Sequence, residues 1–219
     1  MIAYAILKKE IFLLLRGFKG VFSIFVLLGS FTFLSSYAMN PSAGTSPELL
    51  RALKWIFLFS SGYAIFSQNL WEEREAQAGR IVSLYVSPTT TFLIKGFVVW
   101  CSQLLSILFL DLSFVLVFPG HMFSEVWKHI FIISISSFAF SLLGISLGSI
   151  SSATRWKEIL LPLLLFPFSI PIFLFGISID SKFFANEFQI PMNNWILLVS
   201  ITIFYAGIGA FFQELTNQD

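Results

Sequence analysis

Asp111 is the one acidic residue inside the long apolar runs of this sequence, and it lies within the run 92–118. If that run crosses a membrane, a carboxylate at this depth is energetically costly and becomes a candidate for function. Two interpretations stay open. Either Asp111 takes part in function directly, or it lies near the membrane interface or hydrogen-bonds within a helix bundle.

Of the two histidines, His121 lies in the loop 119–128 after this run, and His129 lies at the start of the next apolar run. Imidazole is a standard ligand of haem iron, so both are candidates for haem ligation. The competing interpretation is that both are solvated loop residues with no ligand. We favour the second, because two histidines in one loop are also expected by chance.

Motifs for other chemistry are missing from the sequence. It contains no phosphate-binding GxxxxGK[ST], no HExxH and no CxxC, and no Ser-His-Asp pattern has local context. The net charge of +1 gives no polyanion-binding surface, so no nucleic acid partner is expected. We therefore predict a chain that is not an enzyme and that binds neither a metal nor a tight cofactor.

An acidic segment, WEEREAQAG, contains Glu72, Glu73 and Glu75 and ends at Gly79. Together with the apolar residues that follow, it predicts an amphipathic helix over about 70–85, broken at Gly79 and ended by Pro88, that lies along the membrane face. Such a helix could dock into a groove on a partner and transmit the motion of an ATP-binding subunit. The alternative is a solvated interfacial helix without a partner.

A second charged patch, with Arg155, Lys157 and Glu158, leads directly into an apolar run that holds Pro162, Pro167 and Pro171. Proline removes a backbone donor and clashes with the preceding turn, so a soluble helix would not tolerate three. A membrane helix tolerates them when neighbouring helices satisfy the freed carbonyls. We predict a bendable membrane helix with a charged loop at its entrance.

The composition indicates a membrane protein, so the candidate residues above are positioned by helices that cross a bilayer. The 219 residues are 57% hydrophobic and only 11% charged, whereas soluble domains are about 45–50% apolar and about 25% charged. Segments of about 20 apolar residues cross a bilayer as helices. The apolar runs predict six spans in one transmembrane domain, 1–219, at about 21–38, 53–69, 92–118, 130–150, 159–179 and 195–212.

The segment 1–19 alternates apolar with basic residues and predicts an amphipathic interfacial helix. Basic residues concentrate on the cytoplasmic side of membrane proteins. With the N-terminus inside, nine of the 13 lysines and arginines fall on the inner side, which predicts that both termini are cytoplasmic. The other four, on the outer side, are Arg51, Lys54, Lys128 and Lys182.

Two stretches together resemble one family. The first has Arg155 followed by Phe-Pro-Phe-Ser-Ile-Pro at 166–171, and the second has the acidic residues before Gly79 followed by Val-Ser-Pro at 86–88. In these residues, and in its length, its span number and its basic N-terminal segment, the chain resembles the cytochrome c maturation B protein (CcmB) family. Members are described as the membrane subunit of a haem exporter.

This resemblance implies an ABC-2-type permease subunit of the bacterial inner membrane, with haem as a possible substrate for c-type cytochrome assembly. It implies a separate ATPase subunit (CcmA-like), further haem-handling membrane subunits (CcmC- and CcmD-like) and a second copy of the chain. Segments 70–85 and 155–158 would then face the ATPase. The alternatives are a generic ABC-2 permease for a lipid, polysaccharide or drug, and a non-transporting assembly scaffold.

Overall fold

Six long helices account for the six apolar runs. The structure is a computed structural model that describes residues 8, 18–39, 46–76, 87–118, 123–152, 157–184 and 192–216. The helices are α1 Phe18–Met39, α2 Pro47–Ala76, α3 Pro88–Val117, α4 Phe123–Ser152, α5 Lys157–Phe184 and α6 Met192–Thr216.

All six helices are long and apolar enough to cross a membrane. No strand occurs in these described ranges. The predicted all-α protein with six transmembrane helices is therefore confirmed. Of the N-terminal amphipathic segment 1–19, only Lys8, Phe18 and Lys19 fall within the described residues, all three in helical conformation, and the last two are the start of α1. The predicted site residues Gly79, His121 and Arg155 lie outside the described residues.

Two helices begin with the same Ser-Pro signal. At α3, Ser87 is the N-cap, its hydroxyl accepts from the Thr90 amide at 3.4 Å, and Pro88 occupies the first turn. At α2, the Ser46 hydroxyl accepts from the Leu49 amide at 3.3 Å. Proline suits the first turn because its missing N–H would have had no partner there. Both helices thus begin four to six residues before the predicted spans 53–69 and 92–118.

Helix α2 is continuous where a separate interfacial helix was expected to begin. It runs unbroken from Pro47 to Ala76, so residues 70–76 extend the second span instead of starting a new element. Charged residues do not end a helix that leaves the lipid, because its backbone hydrogen bonds are satisfied internally. Thirty residues make the helix about 45 Å long, against about 30 Å for the hydrocarbon core.

Helix α4 is the centre of the bundle and packs against α2, α3, α5 and α6, whereas α1 packs on α2 and α3. The Phe140 ring of α4 lies 5.1 Å from the Phe66 ring of α2 and 5.3 Å from the Phe173 ring of α5, measured between centroids. A methyl group on Gly144 would overlap Phe66, so this glycine makes room for the ring. Aromatic packing therefore joins α2, α4 and α5.

Contacts between helix ends define two ends of the bundle. Thr89, at the start of α3, donates to Glu214 near the end of α6 at 2.8 Å. Asn194, at the start of α6, donates to Ser178 near the end of α5 at 2.7 Å. We call the end where α3 and α5 begin the Glu214 end, and the end where α2, α4 and α6 begin the Asp111 end.

Candidate functional site

Three ionisable side chains from three helices meet inside the bundle near the Asp111 end. Lys54 lies two turns into α2, Asp111 six residues before the end of α3, and His129 six residues into α4. Six residues of helix rise about 9 Å, so Asp111 lies that far below its helix end. Antiparallel packing of α3 between α2 and α4 brings the three to one depth.

These three side chains, which we call the buried triad, lie within hydrogen-bonding distance of one another through Asp111. Lys54 Nζ lies 2.7 Å from Asp111 Oδ1, and His129 Nδ1 lies 2.9 Å from Asp111 Oδ2. All three are buried, with side-chain exposures of 4%, 0% and 1% for Lys54, Asp111 and His129. Lys54 Nζ also lies 5.4 Å above the centroid of the Phe114 ring. One carboxylate therefore joins α2, α3 and α4.

Charge compensation explains how Asp111 is accommodated at this depth. A buried ion loses its hydration, and this loss is offset only by a well-placed opposite charge together with further hydrogen bonds. Lys54 supplies the charge and His129 the hydrogen bond, one to each carboxylate oxygen. Of the two interpretations of Asp111, the structure shows the hydrogen-bonded residue of a bundle. This geometry is equally compatible with a functional role.

His129 corrects the expectation of a solvated loop residue. It lies in α4, which begins at Phe123 and not at the predicted position 130, and it is only 1% exposed. A carboxylate oxygen only accepts, so Nδ1 carries the hydrogen and donates it to Asp111. In the neutral ring Nε2 then carries the lone pair, and it has no hydrogen-bond partner among the described residues.

A second buried carboxylate lies at the same end. Asp180 of α5 is 1% exposed, and its Oδ2 accepts from Trp55 Nε1 at 3.0 Å. Trp55 follows Lys54 in α2, so consecutive residues of one helix hold acids of α3 and α5. Sequence inspection missed Lys54, Trp55 and Asp180 because they lie near the predicted span boundaries, where polar residues are ordinarily solvated. The Ser46-Pro47 start signal could have shown that Lys54 lies two turns inside a helix.

The family model described as CcmB protein matches residues 1–214. The chain belongs to the CcmB family. No curated protein and no solved structure matches this chain.

CcmB proteins are associated with membrane transport, haem export and cytochrome c biogenesis. The family and the six apolar helices make this chain a multi-pass protein of the inner membrane. Among the residues that the structure describes, no group of three or more His, Cys, Asp or Glu residues could hold a metal ion.

The predicted coupling residues of this CcmB protein fall at one end of the bundle. Glu72, Glu73 and Glu75 lie in the last turns of α2, and Lys157 and Glu158 lie in the first turn of α5. Both stretches belong to the Glu214 end, opposite the buried triad. The predicted coupling residues and the buried triad therefore lie at opposite ends of the bundle.

The three prolines lie inside one unbroken helix. Pro162, Pro167 and Pro171 all fall within α5, which continues from Lys157 to Phe184. Phe166, Pro167 and Phe168 are exposed on the bundle surface, while Ser169 and Ile172 are buried against it. The proline stretch therefore has one face toward the other helices and one toward lipid.

Proposed function

We propose that this chain is the transmembrane permease subunit of an ABC-type complex that exports or handles haem for c-type cytochrome assembly. The family match over residues 1–214 carries this proposal. ATP hydrolysis takes place on a separate CcmA-like subunit, since the sequence holds no phosphate-binding loop. The complex includes CcmC- and CcmD-like membrane subunits and a second copy of this chain.

The ATPase subunit docks at the Glu214 end. Helix α2 is about 45 Å long, so its end, with Glu72, Glu73 and Glu75, reaches beyond the hydrocarbon core. An acidic helix end outside the lipid is suited to a groove with basic residues on a partner. Because it is continuous with the membrane span, a displacement at its tip moves the whole helix as a rigid body.

The connection between α4 and α5 forms the second part of the docking surface. Helix α4 ends at Ser152 and α5 begins at Lys157, so both of these helix ends, with Lys157 and Glu158, lie at the same end as the tip of α2. Arg155 is one of the four residues between them in the sequence. Nearby, Ser149 of α4 donates to Gln213 of α6 at 2.9 Å. Force applied to this connection reaches the central helix and the proline helix together.

The Glu214 end faces the cytoplasm in this proposal. Positively charged residues favour the inner side, where the order of the spans in the sequence puts nine of the 13 lysines and arginines. Four of these nine, Lys19, Arg74, Lys95 and Lys157, lie in the described helix turns nearest this end. At the other end Lys54 is neutralised inside the bundle by Asp111, which reduces the exposed positive charge there further. A C-terminal fluorescent-protein fusion is expected to fluoresce, whereas a C-terminal alkaline phosphatase fusion is expected to be inactive.

Loss of the gene tests the haem-related function. Cells that lack this chain should form no holo-cytochrome c while their lipid, polysaccharide and drug export stay normal. Normal holo-cytochrome c would refute the proposal, and a selective export defect would favour a generic ABC-2 permease. An ATPase subunit whose turnover is the same with and without this chain would favour a scaffold.

Charge removal at α2 tests the docking surface. The triple variant Glu72→Gln/Glu73→Gln/Glu75→Gln should lose co-purification of the ATPase subunit while inserting normally. Glu48→Gln is the matched control, because Glu48 is an exposed acid of the same helix at the opposite end. Retention of the ATPase by the triple variant, or equal loss in both variants, would remove the docking role of the acidic tip.

A further inference from the structure

His129 has a nitrogen that the observed structure leaves unused. Its Nδ1–H donates to Asp111 Oδ2 at 2.9 Å, which fixes the tautomer. Its Nε2 is buried and has no hydrogen-bond partner within the described ranges. A buried polar atom without a partner is rare in folded proteins and calls for an explanation, such as a missing ligand.

The arrangement matches what a metal-ligating histidine needs. Such histidines usually donate the other ring N–H to a carboxylate, which holds the ring orientation and makes the ligating nitrogen more basic. Here Asp111 is that carboxylate, and Lys54 at 2.7 Å compensates its charge so that it remains an acceptor. The bundle thus presents an oriented imidazole whose free lone pair is on Nε2.

The surroundings limit which metal could bind. Zinc sites need three or four protein ligands, and the described residues contain no group of three potential ligands. A single imidazole can bind only a metal ion whose other coordination positions are already occupied by ligands from outside the protein. Iron held by a porphyrin is such a centre, since the macrocycle occupies four positions and the protein supplies one or two axial ligands.

We infer that His129 Nε2 is an axial ligand for the iron of a haem that enters the bundle at the Asp111 end. This inference rests on the proposed function, because haem is the cargo of the complex proposed above. Asp111 and Lys54 are positioning residues, which hold the imidazole and do not touch the iron. His121, the other sequence candidate, lies outside the described residues, and the inference assigns it no role.

Access requires the Asp111 end to open. In the observed arrangement His129 is 1% exposed, so this is a closed state in which the ligating nitrogen has no partner. Lys54 and His129 lie about two turns into α2 and α4, within about 9–11 Å of the starts of these helices. Separation of the start of α4 from the helices packed against it other than α3 would expose Nε2 while Asp111, on α3, still held the ring.

The test uses the full chain in nanodiscs, titrated with hemin and with metal-free protoporphyrin IX, and empty nanodiscs give the background. Both probes have the same apolar ring, so the difference between their affinities reports the contribution of iron ligation. The wild-type chain should bind hemin more tightly than protoporphyrin and show an iron–imidazole signature by absorption and resonance Raman spectroscopy.

His129→Gln is the decisive variant, because a glutamine amide can still donate to Asp111 but supplies no imidazole. It should lose the iron–imidazole signature. Removing a residue that only holds a metal ligand in place typically lowers metal affinity by about 10–100-fold, and the loss of hemin affinity in His129→Gln should be larger than that. Its affinity for protoporphyrin should not change. Added free imidazole should restore the signature. His121→Ala is the matched control and should retain both the signature and the hemin affinity.

Several outcomes would overturn the inference. These are equal binding of the two probes by the wild-type chain, an unchanged signature in His129→Gln, or loss of the signature in His121→Ala instead. Failure here is distinguishable from failure of the proposed function. Cells without the chain would still lack holo-cytochrome c if only the ligand assignment were wrong.

Discussion

The hydroxyl of Tyr205 in α6 donates to the backbone carbonyl of Phe168 in α5 at 2.6 Å. The acceptor lies three residues before Pro171. Proline has no N–H, so Pro171 leaves the carbonyl four residues earlier, that of Pro167, without its helical donor. Tyr205 thus binds the carbonyl adjacent to the gap that proline creates. A neighbouring helix therefore supports the backbone of α5 beside a proline.

Removing this hydroxyl should loosen α5 from α6. Tyr205→Phe keeps the ring but deletes the donor, and we expect a loss of about 0.5–2 kcal/mol in the free energy of unfolding, as for other hydrogen bonds between membrane helices. Unfolding by SDS titration in mixed micelles measures it. The control is Tyr37→Phe, because the Tyr37 side chain is exposed on α1 and should contribute nothing. Equal effects of the two substitutions would contradict the role of Tyr205.

The prolines of α5 should matter for transport more than for insertion. Pro167→Ala/Pro171→Ala restores two backbone donors, which stiffens the helix and reduces its ability to bend between states. We expect normal membrane levels with a clear loss of holo-cytochrome c, measured by haem staining of cell extracts. Pro47→Ala is the control, since Pro47 lies in the first turn of α2, where proline does not interrupt hydrogen bonds. Full cytochrome maturation in the double variant would refute the bending hypothesis.

The sequence predicted the six spans because each depends on a local property, a run of apolar residues. Helix ends were predicted less well. Helix α2 continues into polar residues at both ends, where hydropathy changes but backbone hydrogen bonding does not. The Ser-Pro starts of α2 and α3 were available as local signals and were not used.

The buried triad could not be predicted from local sequence patterns. Asp111 was recognised from its position, but its partners Lys54 and His129 come from other helices, 57 residues before and 18 residues after it. Both lie near span boundaries, where a sequence alone suggests solvated side chains. Only the packing of α2 and α4 against α3 shows that they are internal, and that His129 holds a free nitrogen.

Breaking the triad should destabilise the bundle in a way that a second substitution partly reverses. Lys54→Met leaves the Asp111 carboxylate buried without its counter-charge, which typically costs about 3–5 kcal/mol. Asp111→Asn should likewise leave the Lys54 ammonium unpaired. In the double variant no unpaired charge remains, so its loss in unfolding free energy should be smaller than the sum of the two single losses.

SDS titrations of the wild-type chain, both single variants and the double variant form the thermodynamic cycle. We expect a coupling of about 0.5–3 kcal/mol or more between Lys54 and Asp111. The control is Glu48→Gln, which breaks the ion pair between the exposed Glu48 and the half-buried Arg51 and should change stability by at most about 1 kcal/mol. Strict additivity of Lys54→Met and Asp111→Asn would show that the two charges do not interact.

Two glycines of α6, two residues apart, should respond differently to replacement by alanine. A methyl group on Gly209 would overlap the ring of Phe92 in α3 and the hydroxyl of Ser146 in α4, whereas one on Gly207 would meet nothing within 4 Å. Phe92 is fully buried, so its ring cannot move aside easily. Gly209→Ala should therefore destabilise the bundle by about 1–3 kcal/mol through overpacking.

Gly207→Ala should leave stability unchanged or raise it by up to about 1 kcal/mol, because alanine loses less conformational entropy than glycine in a helix. Each variant serves as the control for the other, since the substitution and the helix are the same. Thermal unfolding of the purified chain in detergent measures both. A Gly209→Ala protein as stable as Gly207→Ala would mean that α6 does not approach α3 and α4 as closely as the structure shows.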